Sequence, residues 1–242
     1  MPPATQSPIR RSPLHHWHVA HGARFVERDG WLLPSTYGNP REEADAARKD
    51  AGVVDVSALA KWSLRGRGVP AVASALGLAS PLSEAVAPTR GVAALRSAAV
   101  IGDGSITACW LAEQSLMLLS STTRLVEPAA LSEAAHDVVR TDITSAYAGF
   151  AVVGELAKDV TGHWRSYVPG LGAFPYGSCM ETAFAGWQAL LVRPPAGFVD
   201  QILVYVAWDV GEYVWELLCE RGEFNAIPIG IEALGILRSA KS

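Results

Sequence analysis

The stretch GWLLPSTYGNPREEADAARKDAGVVDVS, residues 30–57, carries the most complete local pattern in the chain. Asn39 is followed by a proline, an arginine and two glutamates. This order predicts a capped helix, because asparagine accepts hydrogen bonds from free N–H groups and proline suits the first helical position. Gly52 predicts the end of that helix, and the largely apolar residues 53–56 predict a strand. The stretch contains no catalytic motif, so its information concerns the fold.

Composition limits the class of protein. The 242 residues suffice for one large domain or two small ones. Half of them are hydrophobic and 18% are charged, below the usual charged share of about a quarter, which predicts deep burial or an apolar surface covered by a partner. The formal charge of −4, with no long basic run, argues against nucleic acid as a partner.

The sequence also bears on location and metal binding. No apolar run is long enough for a signal peptide or a membrane span. The three cysteines are widely spaced, which predicts a cytoplasmic chain without disulfides. The four histidines of residues 14–22 have helical spacing but no carboxylate or cysteine beside them. They predict a partly exposed helix rather than a metal site.

The order of predicted elements gives the fold class. Residues 1–13 are rich in proline, serine and arginine, and we expect a disordered tail there. The turn at residues 102–104 separates two apolar runs and predicts a β-hairpin. Further strands and helices follow in mixed order, without strict alternation, which predicts an α+β fold. Most of the eight tryptophans are expected in the core, with a few available to line a pocket.

A set of residues in the first third of the chain shares its types and spacing with a known family. The shared residues are Gly22, Ala23, Phe25, Gly30, Trp31, Pro34, Tyr37, Gly38, Glu42, Glu43, Arg48, Ala51, Gly52, Asp55, Val56, Ser57, Lys61, Arg65 and Gly66. With this spacing the chain resembles the glycine cleavage T-protein (aminomethyltransferase) family. Weaker likeness continues at residues 141–154 and 230–238.

The resemblance implies an architecture. It implies one domain over residues 14–242, made of two interleaved α/β lobes with mixed and antiparallel sheets around a central channel. The lobes would comprise approximately residues 53–140, and residues 14–52 with 141–242. The chain stops where the family's C-terminal barrel would begin. In the family the channel binds tetrahydrofolate, and an aminomethyl or methyl unit passes from an amine to the folate nitrogens.

The resemblance also implies which residues face the channel. The expected ligand-binding residues are Tyr37, Ser57, Leu59, Lys61, Thr107, Trp110 and Ser120. No catalytic residue is assigned, because no nucleophile has an acid or histidine partner that the sequence identifies. The candidates for a catalytic role are Asp103, Thr107 and Glu155.

Several family anchors are replaced in this chain. The family's carboxylate near the folate nitrogens aligns with Ala108, and a tyrosine beyond it with Ala112. The glutamate that grips the pterin ring aligns with Leu203, and an arginine of the last helix with Leu234. Leaving a buried polar edge of the ligand unpaired costs about 1–3 kcal/mol per group. The resemblance therefore implies a site with degraded folate anchors.

Three functions are compatible with this pattern. The chain could be a divergent tetrahydrofolate-linked one-carbon transferase or demethylase domain acting on an amine or methylated substrate. It could instead be a non-catalytic subunit of an amine-oxidising or demethylating complex, similar to the small folate-domain-like subunit of heterotetrameric sarcosine oxidase, or a homo-oligomer. In the third alternative, the channel binds another aromatic or amine ligand with new chemistry. The sequence does not settle whether the chain is an enzyme.

Overall fold

The computed structural model describes residues 9–78, 96–101, 105–127, 131, 136–165, 174–195, 199–220 and 225–239. The helices of this part of the chain are α1 (His15–Ala20), α2 (Pro40–Lys49), α3 (Val69–Ala75), α4 (Ala157–Trp164), α5 (Gly211–Glu220) and α6 (Ile231–Ser239). The strands are β1 (Arg10–Arg11), β2 (Arg24–Arg28), β3 (Trp31–Thr36), β4 (Gly52–Asp55), β5 (Lys61–Arg65), β6 (Arg96–Ile101), β7 (Ile106–Ala112), β8 (Ser115–Ser120), β9 (Val139–Asp142), β10 (Tyr147–Val153), β11 (Ser178–Phe184), β12 (Trp187–Arg193), β13 (Gln201–Ala207) and β14 (Ile227–Pro228).

The capped helix predicted from residues 39–43 is confirmed. The Asn39 side chain accepts a hydrogen bond from the Arg41 N–H at 3.0 Å, and Pro40 is the first residue of α2. The helix end differs from the prediction. Asp50 follows the last helical residue and donates its N–H to the Ala46 carbonyl, whereas Gly52 lies in β4. A glycine is required at position 52 for packing, because a Cβ there would come within 2.6 Å of Ala47 Cβ.

Glu43, in the first turn of α2, connects this helix to two other segments of the chain. Glu43 Oε1 accepts hydrogen bonds from the Tyr37 N–H at 2.7 Å and the Gly38 N–H at 2.9 Å. Glu43 Oε2 accepts from the Gly230 N–H at 2.8 Å, immediately before α6. The first turn of α2 thereby fixes the loop after β3 and the start of the last helix. The approach is close, because a Cβ on Gly230 would lie 1.9 Å from the Ser35 carbonyl oxygen.

The described strands form two sheets. The larger has eleven strands in the order β14-β4-β10-β13-β12-β11-β6-β7-β8-β5-β9, and the smaller has the order β1-β3-β2. All neighbouring pairs are antiparallel except β14–β4 and β1–β3. This arrangement confirms the predicted α+β class with mixed and antiparallel sheets.

The chain crosses between two halves of the larger sheet, β14-β4-β10-β13-β12-β11 and β6-β7-β8-β5-β9. Strands β4 and β5 follow each other in sequence but lie near opposite ends of the strand order. Residues 56–60, the crossover segment, join them, and residues 143–146 return to β10. One core cluster contains Val54 and Leu203 from one half, Met117 and Leu119 from the other, and Leu237 from α6. The two halves therefore pack against each other with α6 beside them.

Two of the expected domain boundaries lie near described strands. Within the segment expected to be a disordered tail, Arg10–Arg11 form β1 and pair with β3. The Arg10 guanidinium also lies 4.7 Å from the centre of the Trp31 ring, which gives this segment a docking partner. The lobe boundary expected at approximately residue 53 falls near the start of β4, which pairs with β10 and β14. The domain boundaries stay predictions.

The cap of α2 gives the first testable prediction. We expect Asn39→Ala to lower the free energy of unfolding by about 1 kcal/mol, because the Arg41 N–H loses its acceptor. Asn39→Asp is the matched control and should be neutral or stabilising, because aspartate also caps and its charge favours the helix dipole. Chemical denaturation measures both variants. An alanine variant as stable as the wild type would show that this cap does not contribute.

Candidate functional site

A buried lysine forms hydrogen bonds with the backbone of the crossover segment. Lys61 is 1% exposed. Its Nζ donates to the carbonyls of Ser57 and Leu59, both at 2.8 Å, and lies 3.5 Å from the carbonyl of Thr144 on the returning segment. Burial lowers the pKa of Lys61 to about 7, although the charges of Asp55 and Asp142 oppose this shift. The lysine thus ties both crossings of the chain together.

A chain of buried hydrogen bonds begins at the end of β4. Asp55 Oδ1 accepts from the Ser57 N–H, and Oδ2 lies 2.9 Å from His18 Nε2. The other ring nitrogen of His18 lies 2.6 Å from the Tyr37 hydroxyl. Burial alone would raise the pKa of Asp55, but its hydrogen bonds and the His18 charge lower it overall. Burial raises the pKa of Tyr37, so this hydroxyl remains neutral and orients the histidine.

A cavity of about 400 Å³, here called the first chamber, lies where the crossover segment meets β7, β8 and β13. Its apolar walls are Val56, Leu59, Leu119, Pro194 and Leu203. Its polar walls are Ser105, Thr107, Ser120, Ser121, Thr122, Gln201, Tyr205 and Arg238. The described lining contains no carboxylate. Apolar walls with a few converging polar groups are typical of a small-molecule site.

A second chamber of about 380 Å³ adjoins the first. Val56, Leu59, Ser121, Thr122 and Arg238 line both chambers. The residues that line only the second chamber are Arg28, Asp29, Leu33, Asp55, Thr123, Ile231, Leu234 and Gly235. Its two carboxylates already have partners, because Asp29 pairs with Arg124 at 2.9 Å and Asp55 with His18. Neither carboxylate therefore neutralises the positive charge of Arg238.

The structure brings three of the seven expected ligand-binding residues to the cavity. Leu59, Thr107 and Ser120 line the first chamber. Tyr37, Ser57, Lys61 and Trp110 do not line either chamber. Tyr37 and Lys61 belong to the buried polar contacts described above, and the Ser57 hydroxyl accepts from the Gly149 N–H at 3.0 Å.

Strand geometry explains why Trp110 lies elsewhere. Side chains alternate between the two faces of a strand. Thr107 faces the cavity, whereas Ile106, Ala108 and Trp110 pack on the opposite face of β7 in a separate core. A carboxylate at position 108 would therefore point into that core. Thr107 is the position of β7 from which a side chain reaches the ligand space.

Of the other two catalytic candidates, Glu155 and Asp103, the first is among the described residues and the second is not. Glu155 is exposed in the turn after β10 and does not line either chamber. Asp103 lies outside the described residues, two positions before Ser105, which lines the first chamber. The position of Asp103 in the sequence keeps it as a candidate.

Gln201, Tyr205 and Arg238 are among the residues of the first chamber that sequence reasoning missed. The sequence contains a spacing pattern that could have identified each of these three residues. Leu203 was expected at the ligand, and the residues two positions on either side of it share its face of β13. Leu234 was expected there as well, and Arg238 follows it by four residues, which places both on one face of a helix.

Comparison with known proteins decides the family. The model of the GCVT N-terminal domain matches residues 14–242. The chain belongs to this family. It is an aminomethyltransferase-like domain by sequence, and its fold agrees with that assignment.

Individual relatives show the extent of the likeness. The sarcosine oxidase subunit alpha of Corynebacterium sp. (strain U-96) is 27% identical over 253 residues, which cover 97% of this chain and 26% of that protein. The crystal structure of glycine cleavage system aminomethyltransferase T from Bartonella henselae matches with a TM-score of 0.67 and 21% identity, over 95% of this chain and 62% of that one. A chain of heterotetrameric sarcosine oxidase from Corynebacterium sp. U-96 matches with a TM-score of 0.52 and 18% identity, over 86% and 92%.

In the described part of the chain, no group of three or more histidine, cysteine, aspartate or glutamate residues is arranged to hold a metal ion. Helix α1, predicted from the histidines of residues 14–22, is partly exposed, as expected, but His18 on it is completely buried against Asp55. No helix among the described residues is both long and apolar enough to cross a membrane.

The buried lysine predicts a pH dependence of stability. Its pKa is about 7 in the folded chain and about 10.4 in an unfolded chain. Between these values the unfolded state binds a proton that the folded state lacks, so this residue makes the free energy of unfolding rise with pH. The slope should be roughly 1.4 kcal/mol per pH unit. Below pH 7 both states are protonated and this contribution is lost.

Denaturation of the wild type and Lys61→Met from pH 6 to 10 measures this contribution. The difference in unfolding free energy between the two proteins should grow as pH rises above 7. Lys49→Met, at an exposed lysine of α2, is the control and should give a curve parallel to that of the wild type. Parallel curves for Lys61→Met as well would contradict the lowered pKa.

Proposed function

We propose that this chain binds a tetrahydrofolate-type ligand in the first chamber and takes part in transferring an aminomethyl or methyl unit from an amine to that ligand. The observation that carries the proposal is the composition of the chamber. Aliphatic side chains from the crossover segment and β13, Leu59 and Leu203, provide apolar surface for a flat ring, and Thr107 and Ser120 offer hydroxyls to its polar edge. Family membership supports the same ligand.

The proposed binding is weak. Leu203 and Leu234 both line the cavity and cannot form the hydrogen bonds that the family resemblance places at these positions. Each unpaired polar group of a buried ligand costs about 1–3 kcal/mol. Two such losses lower affinity by some orders of magnitude.

The proposed transfer is slow in this chain alone. Acid–base or electrostatic help from a carboxylate is typically worth about 10²- to 10⁴-fold in rate. The described lining of the first chamber supplies none. Asp103 is the candidate that could still supply it, and a partner chain is the other source.

A second function is supported by a relative of another kind. The sarcosine oxidase subunit alpha of Corynebacterium sp. (strain U-96) is 27% identical over 97% of this chain. In this alternative the domain is a non-catalytic subunit of an amine-oxidising complex. Copurification of the tagged chain from its native source separates the two functions, because a stoichiometric amine-oxidising partner is expected from the second.

Titration of 5-formyltetrahydrofolate by calorimetry tests the proposed ligand. We expect a Kd weaker than about 10 μM, equivalent to roughly −7 kcal/mol. Thr107→Phe should reduce the affinity at least about tenfold, because the ring occupies space in a chamber of about 400 Å³. Thr141→Phe, at an exposed position of β9, is the matched control and should bind like the wild type. Unchanged binding by Thr107→Phe would place the ligand elsewhere.

A transfer assay tests the proposed chemistry. Formation of methylenetetrahydrofolate and ammonia from an aminomethyl donor and tetrahydrofolate should be absent or very slow with the chain alone. Any residual rate should fall about 10²-fold or more in Asp103→Asn, whereas Glu155→Gln should not change it because this side chain is exposed away from the cavity. Rapid transfer, with binding tighter than about 10 μM, would show that the replaced anchors are not needed.

A further inference from the structure

The Tyr205 side chain is a buried group on the wall of the first chamber, and Lys61 Nζ lies 5.7 Å from the centre of its ring. Tyr205 is 2% exposed and lines that chamber. Its ring lies across Gly149, the directly opposite residue of β10, where a Cβ would come within 2.7 Å of the ring. Among the described residues none forms a hydrogen bond with its hydroxyl. Burial raises the pKa of Tyr205, so the phenol stays neutral and is available as a donor.

Arg238 presents a positive charge to the same space. It lies near the end of α6 and lines both chambers. No ion pair joins it to a described residue, and the nearby carboxylates Asp29 and Asp55 are held by Arg124 and His18. Its charge acts on Tyr205, and partial burial lowers the pKa of Arg238 itself. A partly desolvated guanidinium without a counter-ion is stabilised when an anion binds.

The two side chains define the kind of group that the cavity accepts. A phenol hydroxyl and a guanidinium are both donors toward an oxygen acceptor. The described lining of the first chamber has no carboxylate that would compete for them. One guanidinium with one hydroxyl matches a singly charged carboxylate, since a phosphate dianion would leave a negative charge unbalanced. Leu59 and Leu203 are placed to pack against the apolar part of the same ligand.

We propose that Tyr205 and Arg238 together bind a carboxylate of the ligand in the first chamber. The inference rests on the proposed function, because it concerns the same cavity, and it adds the chemical class of the group that is recognised. Two sources have this chemistry: the carboxylate of an N-methyl amino acid substrate, and the glutamyl carboxylate of a folate. The Tyr205 hydroxyl and the Arg238 guanidinium act as specificity determinants for either one.

Calorimetric titration of the full chain with two pairs of probes distinguishes the sources. The first pair is N-methylglycine and dimethylamine, which differ by the carboxylate. The second is 5-formyltetrahydrofolate and 6-methyltetrahydropterin, which lacks the carboxylate-bearing tail. In at least one pair the wild type should bind the carboxylate-bearing probe about tenfold or more tightly.

Four variants connect that preference to the two residues. Arg238→Leu should weaken binding of the carboxylate-bearing probe by about 10- to 100-fold and Tyr205→Phe by about tenfold, with the carboxylate-free probe unaffected. Arg238→Lys should keep part of the affinity because it keeps the charge. Arg48→Leu, at an exposed arginine of α2, is the control. Thermal unfolding confirms that each variant folds, and Tyr205→Phe preserves the ring that packs over Gly149.

The outcomes separate this inference from the proposed function. A response in the folate pair supports both, and a response confined to the amino acid pair supports the carboxylate site while rejecting folate as the ligand. Equal binding of both folate-pair probes, unchanged by Arg238→Leu and without a response in the amino acid pair, overturns the carboxylate site and leaves the folate proposal standing. No binding of any probe overturns both.

Discussion

Lys61 donates its buried amine protons to carbonyl oxygens on both segments that cross between the halves of the sheet. A crossing inside a protein places backbone polar groups away from water, and each one left unpaired costs about 1–3 kcal/mol. Asp55 and the Ser57 hydroxyl satisfy further N–H groups at the same place. The first chamber depends on these contacts, because Val56 and Leu59 of the crossover segment form part of its wall.

Residues 30–57 also help to shape this cavity, because they hold the start of α6 in place. Glu43 in the first turn of α2 holds the Gly230 N–H just before α6, and Ser35 of β3 donates to Glu232 in the first turn of that helix. Helix α6 carries Arg238 to both chambers. A stretch without any catalytic motif therefore positions Arg238 in the cavity through its contacts with the start of α6.

Short-range patterns of residue type predicted those parts of the fold that contacts between neighbouring residues determine. The cap at Asn39 and the α+β class follow from short-range patterns of residue type. The burial of His18 could not be predicted this way, because its partner Asp55 is 37 residues away. Trp110 and Thr107 were both expected at the ligand, although alternation along one strand separates them. The same alternation applied to Leu203 would have identified Tyr205.

A ligand bound between the crossover segment, β7 and β13, beside Arg238, would be visible directly in a crystal structure of the chain with 5-formyltetrahydrofolate. We expect ligand density in the first chamber, in contact with Leu59 and Thr107 and with a carboxylate oriented toward Arg238. Density outside both chambers, or a first chamber closed by its own side chains, would contradict this placement of the ligand.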